Sequence, residues 1–560
     1  MRLKKIIPGK LENCWVLFGI VLVLNITQSV FTPLLNDESY YWLYAKYPDW
    51  GYFDHPPLIA FLIRAGNTIF SGEIGVRLLS CIFGSLTFLV IYKIIEFEAG
   101  KPVSFKLVGL LMLSSLFLNL YSFLAIPDTP MLFFAALFLY AYRRYLNTDN
   151  FFNTLVLGAV IALLLYSKYH GILLIVFTVL SNIRLVFKKS FYILLVVAVL
   201  LYIPHIYWQI QNDYPTIRFQ FLQRASVFKL QHVLSYIGEQ AGVTGPIVFL
   251  LFSVLYKPKN QFQKTLKYNV IGTFIFFLIS SFKETVNVHW TAIAWPSMLC
   301  LSYLYIRELK ANKKLVTGIL AVNLIVVVIL RINLISNTYP IANFNDKNPR
   351  LMTSLLKAGT NGYPLVFRDM YIEPSCFWFY THKECFAVND IWFKKTQYNY
   401  LSGLEKKFQG KTVSLVSKEP INNSSKKTVV EKGKIYFTTV VPNFTSYSTS
   451  VKVTVLNGTD FYSSTKSSIK LSLKNTLTNQ EKNLFKLKGT YLLLTFINSR
   501  SKQIINYRYN KSLNILDPMT FNFQFQAPVQ KGKYTFVFSM VTDSSYVVGF
   551  NSNVYNCNIL

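Results

Sequence analysis

Charged residues are scarce in this chain. Asp, Glu, Lys and Arg make up 15% of its 560 residues, against 52% hydrophobic and 16% aromatic. Globular domains carry about a quarter charged residues, so this balance excludes a soluble enzyme and points to an integral membrane protein. Acids are the rarer sign: 26 against 57 basic residues, a formal net charge of +31. The excess does not indicate nucleic-acid binding, because the basic residues sit in short clusters between apolar segments, where they orient a multi-span chain. Six cysteines are too few for a disulfide-built scaffold. Cys14, Cys81 and Cys300 fall in apolar stretches as packing residues, while Cys376 and Cys385 could pair if their region is exported. A glycine-rich phosphate loop is missing too, so nothing in the chain cradles a nucleotide in that way.

What is abundant is apolar sequence of spanning length. Eleven segments are long enough, or nearly so, to cross a bilayer: 12–31, 75–95, 106–125, 130–143, 152–167, 169–187, 190–208, 241–256, 268–282, 289–306 and 314–335. The first follows "MRLKK" and is too long for a signal-peptide core, with no small-x-small site after it, so it reads as a helix. The clusters "RLKK", "GKPVSFK", Arg143–Arg144, "RLVFKK", "YKPKNQFQKTLK" and "RELKANKK" fall on every second turn. The positive-inside rule makes those turns cytoplasmic, with the N-terminus inside and the C-terminal third outside.

That orientation gathers the remaining titratable groups on the outer face. "NDESYYWLYAKYPDWGYFDHPPL" (36–58) follows the first span as an external loop, with Asp37, Glu38, Asp54 and His55. "IPDTP" brings Asp128, "SKYHG" brings Lys168 and His170, the 209–240 loop brings Arg218 and Arg224, and "FKETVNVHW" brings His289. Each alone is an ordinary solvated or interfacial residue, and Lys168 alone could be a snorkelling anchor. Their convergence at one end of an apolar bundle marks a functional site. Tyr52, Trp42, Trp50 and Trp290 are placed to stack on a sugar or prenyl group, or to form the interfacial aromatic belt. Residues 56–72 read as a short helix lying in the interface.

A carboxylate such as Asp37 suits a general base for a hydroxyl acceptor. Lys168 and Arg224 suit a phosphate leaving group. Asp54 beside His55 could hold a divalent metal or a substrate hydroxyl, although two ligands do not make a metal site.

The order "DE", "GYFDHPPL", "IPDTP", "SKYHG" resembles the bacterial members of glycosyltransferase family 39 and their aminoarabinose-transferase relatives, within the GT-C superfamily, over about residues 10–310. The resemblance implies a polyprenyl-phosphate-sugar donor and transfer to a lipid, glycan or protein acceptor on the outer face of a bacterial inner membrane. It implies Asp37 as catalytic base, Glu38 as its structural or acceptor-positioning neighbour, and Lys168 as a donor-phosphate ligand. Asp54 matches a metal-type acid, and His55 stands where the relatives have a phosphate-facing lysine. Asp128, His170, His289 and Tyr52 are expected to position substrate. Around 219–225 the relatives' metal-site histidine is missing and Arg224 remains. The reaction would be a single displacement with inversion, by analogy with glycosidase geometry.

Beyond residue 340 the apolar spans end. "YPLVFRDMYIEPSCFWFYTHKECFAVND" reads strand, helix, strand. From "KIYFTTVV" onward, short alternating segments separated by turns read as a β-sandwich. The expected architecture is an all-α GT-C-type bundle of about eleven membrane helices over 1–337, an α/β unit over 338–416, a linker at 417–427 and a sandwich-like domain over 428–560. Two other activities fit parts of the pattern: an oligosaccharide ligase or polymerase with a lipid-diphosphate donor, and a transporter or flippase, the latter opposed by nearly charge-free spans.

Overall fold

The computed structural model describes residues 12–100, 103–218, 228–245, 247–309, 313–336, 353, 362–430, 434–479, 481–483, 489–509, 519–542 and 547–560. The chain divides into two compact units, one formed by residues 1–217 and 224–346 and the other by 218–223 and 347–560.

The first unit is helical. In chain order its helices are α1 (Asn13–Phe31), α2 (Asn36–Lys46), α3 (Leu58–Asn67), α4 (Gly72–Ala99), α5 (Phe105–Leu113), α6 (Leu116–Leu120), α7 (Asp128–Asn147) and α8 (Phe151–Ser167). Then come α9 (Gly171–Ser181), α10 (Lys189–Gln211), α11 (Pro215–Arg218), α12 (Leu230–Val243), α13 (Val248–Leu255), α14 (Gln261–Ser281), α15 (Trp295–Glu308) and α16 (Lys313–Ser336). Among the described residues, α1, α4, α10 and α16 are long and apolar enough to cross a membrane, and the bent pair α12–α13 adds a fifth if it is one span. Side chains from α1, α4, α7, α8 and α15 share one apolar core.

Several expected spans are interrupted, for physical reasons. Residues 106–125 form α5 and α6 with a break at Ser114–Ser115. The Asn119 amide fills the break by donating to the carbonyls of Met112, Leu113 and Ser115 at 3.2, 2.8 and 2.9 Å, which satisfies carbonyls a continuous helix would have used. Residues 288–294 form a 3-10 turn before α15. The expected external loop is half helical, because 36–46 is α2. Its aromatic run is buried on nearly every side, and Arg64 of α3 donates to the Ala45 carbonyl at 3.2 Å, capping it.

Two glycines set close approaches around the later site. A Cβ on Gly84 of α4 would lie 2.0 Å from the Ser122 carbonyl oxygen, so only glycine lets α4 meet the 121–125 turn. A Cβ on Gly51 would lie 2.3 Å from the Trp208 ring, where α10 receives the 47–57 loop.

The second unit begins with β1 (Leu365–Arg368), α17 (Ile372–Thr381), β2 (Phe386–Val388), α18 (Ser402–Lys406), β3 (Val413–Ser417), β4 (Lys426–Val430) and β5 (Lys434–Val441). These strands form one sheet in the order β2-β1-β3-β5-β4, with β1 parallel to β2 and β3 and the remaining pairs antiparallel. "KIYFTTVV", expected in the sandwich, is therefore β5 of the α/β sheet. Residues 417–427 do not link domains: Ser417 ends β3, Lys426 opens β4, and the turn between them is held by Asn422 and Ser425. β5 pairs across both β3 and β4, and that two-sided pairing overrides the local reading of 417–427 as a linker.

The rest is β-rich. β6 (Val451–Val455), β7 (Lys466–Asn475) and β10 (Met519–Gln526) form one sheet; β8 (Tyr491–Asn498), β9 (Ile504–Arg508), β11 (Gly532–Val541) and β12 (Tyr555–Ile559) form another. Inward residues of both sheets, among them Leu471, Phe496, Phe523 and Phe536, share one core. Cys376 and Cys385 are both buried and not joined by a disulfide, and the Cys385 thiol donates to the Pro374 carbonyl at 3.0 Å.

Candidate active site

The acidic pair after α1 splits into two environments. Glu38 is fully buried in the first turn of α2. Its carboxylate accepts from the Leu35 N–H at 2.8 Å, the Ala125 N–H at 2.8 Å and Arg77 Nε at 2.7 Å, and forms an ion pair with the same guanidinium. Arg77 also donates to the carbonyls of Thr32 and Pro33. With every oxygen occupied, Glu38 ties α1, α2, α4 and the 121–125 turn together and has no lone pair to offer a substrate. Asp37, one residue earlier, is exposed. Its charge reaches the Tyr121 phenol, on which Asp128 also acts.

The "YFDHPP" stretch places Asp54 and His55 differently. Tyr44 donates to Asp54 Oδ1 at 2.5 Å. Burial, then the Asp54 charge, push the Tyr44 phenol well above its ordinary value, so it stays protonated and remains a donor. His55 Nδ1 is buried without a hydrogen-bond partner. Burial pulls its imidazole below 6.5, with the Lys168 charge acting the same way and those of Asp54 and Asp128 opposing.

Asp128 opens α7 and Lys168 follows α8; their side chains form a buried ion pair. His170 Nδ1 is buried without a hydrogen-bond partner, and its ring packs 5.4 Å from Trp290 and 5.5 Å from Phe277. His289 meets the Tyr121 ring edge-on at 6.3 Å. The charges of Lys168 and Asp128 act on all three histidines, His55, His170 and His289. Asp54, His55, Asp128, Lys168, His170 and His289 are thus one constellation.

The aromatic expectations change here. Tyr52 does not face a ligand: it is fully buried, stacks on Tyr44 at 4.2 Å, donates to the Tyr44 and Tyr47 carbonyls and accepts from the Asp49 N–H. Trp42 and Trp290 are core residues too, whereas Trp50 is 48% exposed. Arg224 lies outside the described residues. For a metal, no group of three or more His, Cys, Asp or Glu among the described residues has the arrangement to hold one, and Asp54 already bonds Tyr44. The described donor set does not fit a metal.

Sequence reasoning missed a polar network that holds the first loop. His205 Nδ1 meets the Trp50 carbonyl at 2.7 Å, Trp208 Nε1 donates to Asp49 at 2.8 Å, and Tyr169, Gln209 and Thr216 close the set around His205 Nε2. The signal available was a histidine beside Pro204 inside an otherwise apolar helix.

Crystal structures of ArnT from Cupriavidus metallidurans, apo and bound to undecaprenyl phosphate, superpose with TM-scores of 0.57 and 0.55 at 14% and 13% identity. They cover 76% and 78% of this chain and 97% and 99% of their own. The fold is that of the ArnT structures. Within it, residues 54–208 match the family model described as dolichyl-phosphate-mannose-protein mannosyltransferase. Lipid A galacturonosyltransferase RgtD of Rhizobium johnstonii is 28% identical over 241 residues, 40% of this chain and 49% of that protein, so the chain spans about half the length of this curated relative. Asp54, His55, Asp128, Lys168 and His170 fall inside the segment that matches the family model, while Asp37, Glu38 and His289 lie outside it.

Proposed function

We propose that the protein is a glycosyltransferase of the bacterial inner membrane. It moves a sugar from a polyprenyl-phosphate carrier to a hydroxyl or phosphate of a lipid, glycan or protein at the outer, periplasmic face. The observation that carries this reading is the pair of buried imidazole nitrogens, His55 Nδ1 and His170 Nδ1, left without partners around the Lys168–Asp128 pair. Buried polar groups are ordinarily satisfied, so a constellation with two orphaned nitrogens is built for a polar ligand that brings the missing partners. A sugar phosphate has both the hydroxyls and the anionic oxygens. The relatives' names support the same classes: a lipid A galacturonosyltransferase, and an ArnT holding undecaprenyl phosphate.

In this reading Asp37, exposed at the start of α2, takes the proton of the acceptor hydroxyl. The acceptor oxygen bonds to the anomeric carbon as the bond from that carbon to the phosphate oxygen breaks. The bonding pair leaves with the polyprenyl phosphate, whose charge is met by Lys168 and Arg224. One displacement inverts the anomeric centre. Eleven crossings with the N-terminus inside would place the site and the second unit on the outer face. That second unit would be an exported module, its α/β sheet extending through β5.

The test is transfer of radiolabelled sugar in proteoliposomes from a panel of polyprenyl-monophosphate sugars, comparing wild type with Asp37→Asn. Labelled acceptor and free polyprenyl phosphate that vanish in the variant support the reading. No turnover of any monophosphate donor by well-folded protein overturns it.

A further inference from the structure

Arg331 is a cation without an acid among the described residues. It lies on α16, five residues before that helix ends at Ser336, roughly 8 Å along the axis at 1.5 Å per residue. Three other inward cations of the bundle face a carboxylate: Arg77 has Glu38, Lys168 has Asp128, and Arg143 has Glu98. Arg331 makes no ion pair with any described residue. One guanidinium nitrogen, Nη2, donates to Asn25 Oδ1 of α1, and the group lies 5.1 Å from the Phe123 ring centroid. Its Nε–H is buried without a hydrogen-bond partner.

The position is held in place rather than loose. Gln28 of α1 donates to the Arg331 carbonyl at 3.1 Å and to Thr32 at 2.7 Å, fixing α1 against α16. Asn25 is itself locked by Ser85, Ser122 and the Ser122 carbonyl. Outside this seam the surface is apolar and exposed, with Leu24 and Phe31 on α1 and Val328 and Ile332 on α16. An ordered but uncompensated guanidinium beside an apolar outer surface, near a helix end, is where a lipid's anionic group would lie.

We propose that the seam between α1 and α16 is a binding site for the phosphate monoester of a membrane lipid, held by Arg331. A monoester brings up to two negative charges and three acceptor oxygens, which supply the missing counter-charge and a partner for Nε. The occupant assigned is the polyprenyl phosphate that enters as sugar carrier or leaves after transfer, and to that extent the proposal rests on the transferase reading. Arg331 is here a positioning residue for the lipid and takes no part in the proton transfer.

The experiment is native mass spectrometry of the full chain in detergent, as wild type, Arg331→Gln and Arg331→Lys, with undecaprenyl phosphate, phosphatidylglycerol or inorganic phosphate added. Wild type is expected to retain undecaprenyl phosphate. Arg331→Gln should retain it roughly tenfold less, and Arg331→Lys should fall between, because lysine keeps the charge but loses the forked donors. Equal retention by wild type and Arg331→Gln, at equal monodispersity, overturns the proposal. So does equally tight retention of phosphatidylglycerol, which would make the occupant any anionic lipid, or displacement by millimolar inorganic phosphate, which would make it a soluble anion. Should Arg331→Gln misfold, Arg331→Lys decides alone: retention undiminished from wild type overturns the site, and a several-fold loss supports it. Binding is read without a sugar, so an inactive protein that keeps the lipid through Arg331 overturns the transferase and leaves the seam. Normal transfer by an Arg331→Gln variant that also keeps the lipid does the reverse.

Discussion

Lys168 Nζ lies 2.7 and 2.8 Å from the two carboxylate oxygens of Asp128, and both side chains are about 5% exposed. The pair is therefore a neutral unit at rest, and an ammonium with two of its three N–H groups on Asp128 keeps one donor for a phosphate. Removing one partner of such a pair costs about 3–5 kcal/mol, because the other charge stays buried alone. Asp128→Asn should accordingly melt well below wild type and lose transfer. The double variant Asp128→Asn/Lys168→Met should recover most of the stability and none of the activity. Differential scanning fluorimetry on detergent-purified protein reads the first effect and the transfer assay the second. An Asp128→Asn protein as stable as wild type would mean the pair contributes nothing to the fold.

The neighbouring acids Asp37 and Glu38 should separate cleanly. Glu38→Gln weakens a carboxylate that accepts from Arg77 and two backbone N–H groups, so protein yield and melting temperature should fall. Asp37→Asn changes an exposed side chain, so the melting temperature should stay within about a degree while transfer falls 10²- to 10⁴-fold, on the order of a lost general base. Stability loss in Asp37→Asn matching that in Glu38→Gln would argue that both acids are scaffold.

This contrast marks the limit of what could be read beforehand. The constellation of Asp54, His55, Asp128, Lys168, His170 and His289 was legible because charge sorting assigns every second turn to one side, and few titratable groups remain there. Glu38 was legible as an acid but not as an anchor. Its partner Arg77 is 39 residues away in an apolar helix and has no local signature beyond that of an orienting cation. Arg331 was passed over for the same reason. Tyr52 looked like a sugar platform because aromatics in such loops are common, and only the path of the 44–52 backbone turns its hydroxyl onto carbonyls. β5 was misplaced since a strand's own alternation does not say which sheet it will join.

Gly51 offers a local test of how the first loop is held. Any side chain there meets the Trp208 ring at 2.3 to 2.9 Å, while Trp208 Nε1 bonds Asp49 and His205 bonds the Trp50 carbonyl. Gly51→Ala should destabilise by about 1–3 kcal/mol through overpacking. Adding Trp208→Leu should cost less in the Gly51→Ala background than in wild type, since the smaller side chain makes room. Thermal melts of the four proteins measure the coupling, and strict additivity would place Trp208 away from the loop.

His55 should leave a signature in the dependence of stability on pH. Burial depresses its folded-state value below the ordinary 6.5. Between the two values the unfolded chain binds the proton and the folded chain does not, so acidification favours unfolding. The contribution of neutral His55 is therefore fully present above about pH 6.5 and declines as pH falls below it, until the folded form also protonates. Glutamine at this position keeps a polar side chain and cannot titrate. Melting temperatures of wild type and His55→Gln, measured from pH 7.5 down to pH 5, should run parallel at the upper end and converge or cross below about 6.5 as wild type loses stability more steeply. The other buried histidines remain in both proteins, so the difference between the curves reports His55 together with its charge coupling to His170 and His289. Parallel curves over the whole range would mean that His55 is protonated alike in both states and that its orphaned nitrogen lies open to water.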